Sequence, residues 1–146
     1  MATSTWNKFD DFSEQLIRGV HDFDANTFKV ALVKNTDTPV ATDTELSQIT
    51  QVDNGNGYTT GGETTTISIT VSGATTTVSG TQVQWTGSST GFGPFRYAVL
   101  YNDSTTSPLD ALIAWFDYGS EITVGSGETF TLKFNNLATG TMFTLG

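Results

Sequence analysis

His21-Asp22-Phe23-Asp24 places an imidazole and two carboxylates side by side, residue types that can hold a metal or move a proton. A metal site needs three or four converging donors, and the chain has no second histidine and no cysteine to join these. A turn between a helix and a strand accounts for Asp22 and Asp24 equally well, through Asx-type bonds to nearby backbone N–H groups. The structural reading is therefore the expected one. A Ser-His-Asp hydrolase would have to use His21, and no Gly-x-Ser-x-Gly elbow is present to expose a nucleophile. Gly125-Ser126-Gly127 reads instead as a turn at the entry to a strand.

Asp53-Asn54-Gly55-Asn56-Gly57 partly follows a calcium loop. The pattern fails at Gly55, and Thr64 stands where the closing glutamate belongs. Glu63, Asp117, Glu121 and Glu128 are candidates for a pair of glycosidase carboxylates, but spacing along the chain brings no two of them together. Trp6, Trp85 and Trp115, with Tyr58, Tyr97 and Tyr118, could stack on sugar rings. Trp85 and Trp115 each fall within an apolar strand pattern, so both are expected in the core. Asn102-Asp103-Ser104 matches a glycosylation acceptor, which matters only in a secreted protein. No catalytic residue, metal ligand or cofactor is expected.

The formal charge of -9, with only six Lys and Arg scattered along 146 residues, argues against nucleic acid as a partner. No apolar run approaches the ~20 residues of a membrane helix, and the amino terminus has no apolar core of a signal peptide. A soluble protein made in a cytoplasm is the expectation. Threonine supplies about one residue in five, suiting pleated sheet and covering surface without long flexible charges.

The elements that must position these residues are mostly strands. Trp6 to Arg18 reads as a helix, with Phe9, Phe12, Leu16 and Ile17 on one buried stripe, Ser4 or Thr5 as cap and Gly19 as stop. Residues 1–20 would then form an amino-terminal arm or helix packed on the body. Thr27 to Val33 is a strand, and Asp43 to Ile49 a helical turn or structured loop. The glycine-rich stretch from Asp53 to Gly62 reads as a mobile tip or a contact element.

Thr64 to Val71 alternates cleanly, which predicts Ile67, Ile69 and Val71 facing inward. Short strands follow at Thr75 to Val78 and around Val83 and Trp85. A central hairpin then comes from Phe95 to Tyr101 and Leu112 to Gly119, turning through Asn102 to Pro108. Phe95, Tyr97, Val99 and Tyr101 should share one face of its first strand. Further strands are expected at Ile122 and Val124, from Phe130 to Phe134, and from Met142 to Leu145. The sum is one all-β domain over residues 1–146, a β-sandwich or partly closed, jelly-roll-like barrel with one amino-terminal α-helix.

Six segments stand out together. Four are the helix Phe9 to Arg18, Gly19-Val20-His21-Asp22 leading into Phe28-Lys29-Val30-Ala31-Leu32, Asn56-Gly57-Tyr58-Thr59-Thr60-Gly61-Gly62, and Gly127-Glu128-Thr129-Phe130-Thr131-Leu132. The most specific are Gly93-Pro94-Phe95-Arg96-Tyr97-Ala98-Val99-Leu100-Tyr101-Asn102 and Trp115-Phe116-Asp117-Tyr118-Gly119. They resemble a family of small virion proteins of tailed bacteriophages. The resemblance covers nearly the whole chain. It implies a non-enzymatic decoration or cement protein on the outer capsid surface, made in the host cytoplasm, contacting the major capsid protein and itself as a homotrimer.

A tail-tube or tail-fibre component and a non-catalytic carbohydrate-binding module are the alternatives. Contacts should then lie on loops and termini. The candidate interface residues are Trp6, Lys8, Asn54, Asn56, Tyr58 and Phe92, since the aromatics among them fall outside clean strand alternation.

Overall fold

A computed structural model describes residues 3–146. The described residues form ten strands, one α-helix and two 3-10 turns, arranged as antiparallel sheets around one main core. The chain is an all-β sandwich with one helix, as its patterning predicts.

The largest sheet has five strands in the order β1-β8-β7-β2-β3, namely Asn7–Lys8, Leu109–Val124, Phe92–Thr106, Phe28–Val33 and Glu63–Thr65. Its central strands are buried on both faces. Phe28, Val30, Leu32, Ala98 and Leu100 point into the main core. Ala31, Val33, Val99, Tyr101 and Leu112 point the other way, against Phe9, Leu46 and Ile49. The second face is covered by the connection after β2, which carries the 3-10 turn Leu46–Gln48. Each apolar side chain so enclosed is worth roughly 1.5–3 kcal/mol relative to exposure, which is why this sheet anchors the molecule.

Two smaller sheets close the main core. One has the order β10-β5-β4, Thr139–Leu145, Thr75–Thr81 and Ile67–Ser72; the other pairs β6, Val83–Thr86, with β9, Thr129–Leu132. Gly140 is fitted against Phe134, where a Cβ would stand 1.6 Å from the Phe134 carbonyl oxygen. Gly62, with φ +74°, lies equally close to the backbone of Val30 and so locks β3 onto β2.

The structure corrects several expectations. The helix α1 spans Asp10–Ile17 rather than starting at Trp6, and extended Phe9 precedes it with no side-chain cap. Asn7 and Lys8 are drawn off to pair with Trp115 and Ala114, and the Phe9 N–H donates to the Ile113 carbonyl at 3.1 Å. Ladder hydrogen bonds thus outcompete the first helical turn. Phe12 is buried, but Ile17 is 87% exposed. Gly19 ends the helix as expected, at φ +76°.

The central hairpin is longer than its apolar runs. Its strands continue to Thr106 and resume at Leu109, so Asn102 is fully buried rather than in a turn. Its side chain serves the interior and is no glycosylation acceptor. Register shifts on either side of Phe95 reverse its facing. Phe95 joins the main core while Tyr97, Val99 and Tyr101 join the second one. Trp85 is core, as expected, but Trp115 is only partly buried, packed at a tilt on Phe9 with ring centroids 4.7 Å apart.

The alternation at Thr64 to Val71 is real and Ile67 packs on the main core as expected, but the outer members of the same face are not covered. Ile69 is 41% and Val71 69% exposed, because β4 runs out past the end of the body. Period-two patterning defines two faces of a strand and does not supply a layer to cover either.

Candidate functional site

The residues whose types suggested chemistry are occupied in holding the fold. Asp22 Oδ1 accepts from the N–H groups of Asp24 and Ala25 at 3.0 and 3.1 Å, forming the turn. His21 is buried between Phe12 and Phe23, with Nδ1 3.2 Å from Asn102 Nδ2, which also donates to Asn26 Oδ1 at 2.8 Å. Burial lowers the His21 pKa to about 4, against a smaller opposing pull from Asp11, so the ring is neutral at pH 7.

Two of the four carboxylates, Asp117 and Glu128, are similarly committed. Asp117 forms a fork with Arg96, Nε to Oδ1 at 2.8 Å and Nη2 to Oδ2 at 3.1 Å, and also accepts from the Gly119 N–H. The guanidinium bonds hold the Asp117 carboxyl below the usual carboxylate range. Glu128 accepts from the Gly125 N–H at 2.7 Å and so closes the turn containing Ser126. Glu63 and Glu121 are exposed on β3 and β8. Among the described residues, no three His, Asp or Glu side chains converge.

The candidate interface residues fall into three groups. Tyr58 and Phe92 are core side chains, 1% and 5% exposed, which removes their rings as contact anchors. The Tyr58 hydroxyl donates to Gln51 Oε1 at 2.8 Å and accepts from the Leu32 N–H at 3.1 Å; burial pushes its pKa far up. The glycine-rich segment around it wraps onto the body because this ring is its plug. Asn54 and Asn56 are exposed, yet Asn54 Oδ1 accepts from the Thr60 N–H and the Asn56 carbonyl accepts from Ser88. Lys8 is exposed at the edge of β8, and Trp6 is half-buried.

Trp6 leads to the most prominent concavity, a groove of about 930 Å³ between the β7–β8 hairpin and the β6–β9 pair. Two aromatic rows line it, with Phe95 and Phe134, 1% and 3% exposed, as core rings beneath the open ones. Trp6, Phe116 and Phe134 form one, with successive ring centroids 5.8 and 6.1 Å apart. Phe95, Phe130 and Tyr118 form the other, with Phe130 edge-on to Phe95 at 5.0 Å and to Tyr118 at 6.2 Å. The outer ring, Tyr118, is 40% exposed.

Amides and hydroxyls complete the lining. Gln84 Nε2 donates to Thr131 Oγ1 across the β6–β9 ladder at 3.0 Å, and Asn135 stands at the end of the groove. The amino-terminal segment forms one lip, where Ser4 Oγ accepts from the Asp117 N–H at 2.8 Å. The lining carries two cations, Arg96, which forks with Asp117, and Lys133. Such a groove suits apolar side chains and the faces of hydroxyl-bearing rings; it offers no free acid-base pair.

Sequence reasoning found Trp6, and Tyr118 as a ring able to stack on sugars, but missed Phe116 and Phe130 as part of the same surface. Phe130 lies between Thr129 and Thr131 on a four-residue strand, an alternation indistinguishable from that of a core strand. The one available signal was density: aromatics recur at Trp115, Phe116, Tyr118, Phe130 and Phe134, more than one small core layer needs.

No protein-family model, no curated protein and no solved structure matches this chain.

Proposed function

We propose that the chain is a structural protein of a tailed-bacteriophage particle that attaches to the outer surface of the head and reinforces its lattice of major capsid protein. The observation that carries this reading is the division of labour among its side chains. The imidazole and the carboxylates best placed for chemistry are spent on turns, forks and buried bonds. The open groove is walled by aromatic rings, the side chains that dominate protein interfaces. A cement protein needs a rigid body and a binding face. Each copy that binds only the assembled lattice lowers the free energy of that state, and many copies act together. The sequence resemblance supports the same role.

Labelling of intact particles with gold-conjugated antibody to this protein tests the location. Gold spread over the head is the expected result; gold on the tail, or on no particle, overturns it. Rebinding to heads stripped of the protein tests the groove. Tyr118→Ala with Phe130→Ala should weaken attachment by tenfold or more, about 1.4 kcal/mol at least.

One observation favours a second reading, a carbohydrate-binding module. Tyr118 presents a partly exposed ring, and the amide of Gln84 and the hydroxyl of Thr131 line the same groove, residue types suited to a sugar. Oligosaccharide raising the melting temperature of the free protein, but not of the Tyr118→Ala variant, would support it.

A further inference from the structure

The free edge of β4 carries none of the devices by which β-proteins keep such edges apart. Charges, proline, bulges or extreme shortness normally blunt an edge. The other sheet margins follow that rule. β1 has two residues, one of them Lys8; β3 has three, one of them Glu63; β10 is bulged between Thr141 and Phe143; β6 and β9 have four each. β4 has six residues, Ile67–Ser72, pairs with β5 without a register shift, and is exposed from Ser68 onward. It also lies in the longest uncharged stretch of the chain: no Asp, Glu, Lys, Arg or His occurs between Glu63 and Arg96. In a molecule of net charge -9, this is a margin at which two copies can meet without direct repulsion.

The phase of the edge is readable. The Thr81 N–H donates to the Thr66 carbonyl at 3.0 Å, so Thr66 and Thr81 are a bonded pair. Bonded and non-bonded pairs alternate along an antiparallel ladder. Ser68, Thr70 and Ser72 therefore bond to β5, and Ile67, Ile69 and Val71 turn their N–H and C=O groups to the free side. The sequence across that side, Ile67-Ser68-Ile69-Thr70-Val71, has the same pattern in both directions about Ile69.

We infer that β4 pairs antiparallel with β4 of a second copy of this chain, about a two-fold axis through Ile69. In that register Ile69 faces Ile69 of the second copy and Ile67 faces its Val71, so every outward backbone group meets an outward partner. The apolar side chains all fall on one face and the hydroxyls on the other. The apolar face continues the rows Ile69-Val78-Phe143 and Val71-Thr76-Leu145, whose outer members Ile69, Val71 and Leu145 are exposed in the single chain. A six-stranded sheet results, ending at both sides in the bulged β10. Such a two-fold contact closes on itself and makes a dimer, whereas the homotrimer implied by the resemblance would need a different surface. This contact stands apart from the groove and holds whatever the groove binds.

Sedimentation equilibrium on the full chain tests it, with a mass of twice 15.6 kDa expected. Val71→Pro removes an outward N–H that β5 does not use and places a ring in the partner's path. It should give the single-chain mass, with an unfolding midpoint near that of the unmodified protein diluted until it too is a single chain. Ile69→Cys, in a chain with no other cysteine, should become disulfide-linked under mild oxidant. Thr70→Cys should not, because its symmetry mate lies diagonally, about 7–8 Å away. The linkage of Ile69→Cys decides the matter even if Val71→Pro fails to fold. A single-chain mass at every concentration, a larger oligomer unaffected by Val71→Pro, or equal linkage of both cysteine variants overturns the proposal.

Discussion

The five-stranded sheet and the β10-β5-β4 sheet are built from similar residues and meet opposite fates. In the first, β2 is buried along both faces, from Phe28 at 0% exposure to Val33 at 0%. In the second, the same β-branched chemistry ends in the open, with Val71 at 69%. The difference is covering. The connection after β2 folds back over one face of the large sheet, placing Leu46 and Ile49 on Ala31 and Val33. Nothing in the single chain lies beyond Val71. A strand's stability thus comes from the layers against it more than from its own propensity.

Substitutions in the two regions should separate accordingly. Trp85→Ala, in the main core, should cost about 3–5 kcal/mol of folding free energy, read from denaturant midpoints at constant slope. A cost below about 1 kcal/mol would mean that the core collapses around the vacancy and that the contrast is overstated. Trp115→Ala should cost less, since one side of that ring is already in solvent.

Acid should attack the covered region next. His21 is neutral in the folded protein with a pKa of about 4, below its ordinary 6.5, so the unfolded chain binds more protons between those values. The contribution of His21 to stability should be complete above about pH 6.5 and be lost progressively toward pH 4, on the order of 3 kcal/mol. Unfolding curves across that range check the slope, and His21→Leu should flatten it. An unchanged slope in that variant would assign the acid sensitivity to other groups.

Trp6→Ala tests the boundary between the regions, because its ring touches both Phe116 of β8 and Phe143 of β10. A loss of roughly 1–2 kcal/mol is expected. No loss would mean that the contacts of this ring with the two strands add nothing to the fold. The smallest effect should come from Val71→Ala, within about 0.5 kcal/mol when measured on the single chain. A larger cost there would mean that the outer row is covered after all.

The residue patterns of the chain determined its class, its single helix, most strand positions, Trp85 as core and Asp22 as a turn residue. Each depends on interactions within a few positions: period-two alternation, Asx bonding, the left-handed φ that glycine accepts after a helix. Where reading failed, a distant segment had intervened. Asn7 and Lys8 became a strand because β8 offered bonds; Tyr58 sank into the core, where Leu32 of the distant β2 binds its hydroxyl.

Shifts of register at Phe95 sent neighbouring aromatics to different cores. The groove is the extreme case, since its walls come from the amino-terminal segment, β7, β8, β9 and the turn at Phe134. Local sequence states which residues share a face of a strand. Which face is covered, and by what, depends on contacts between residues far apart in the chain, and only the tertiary structure decides those.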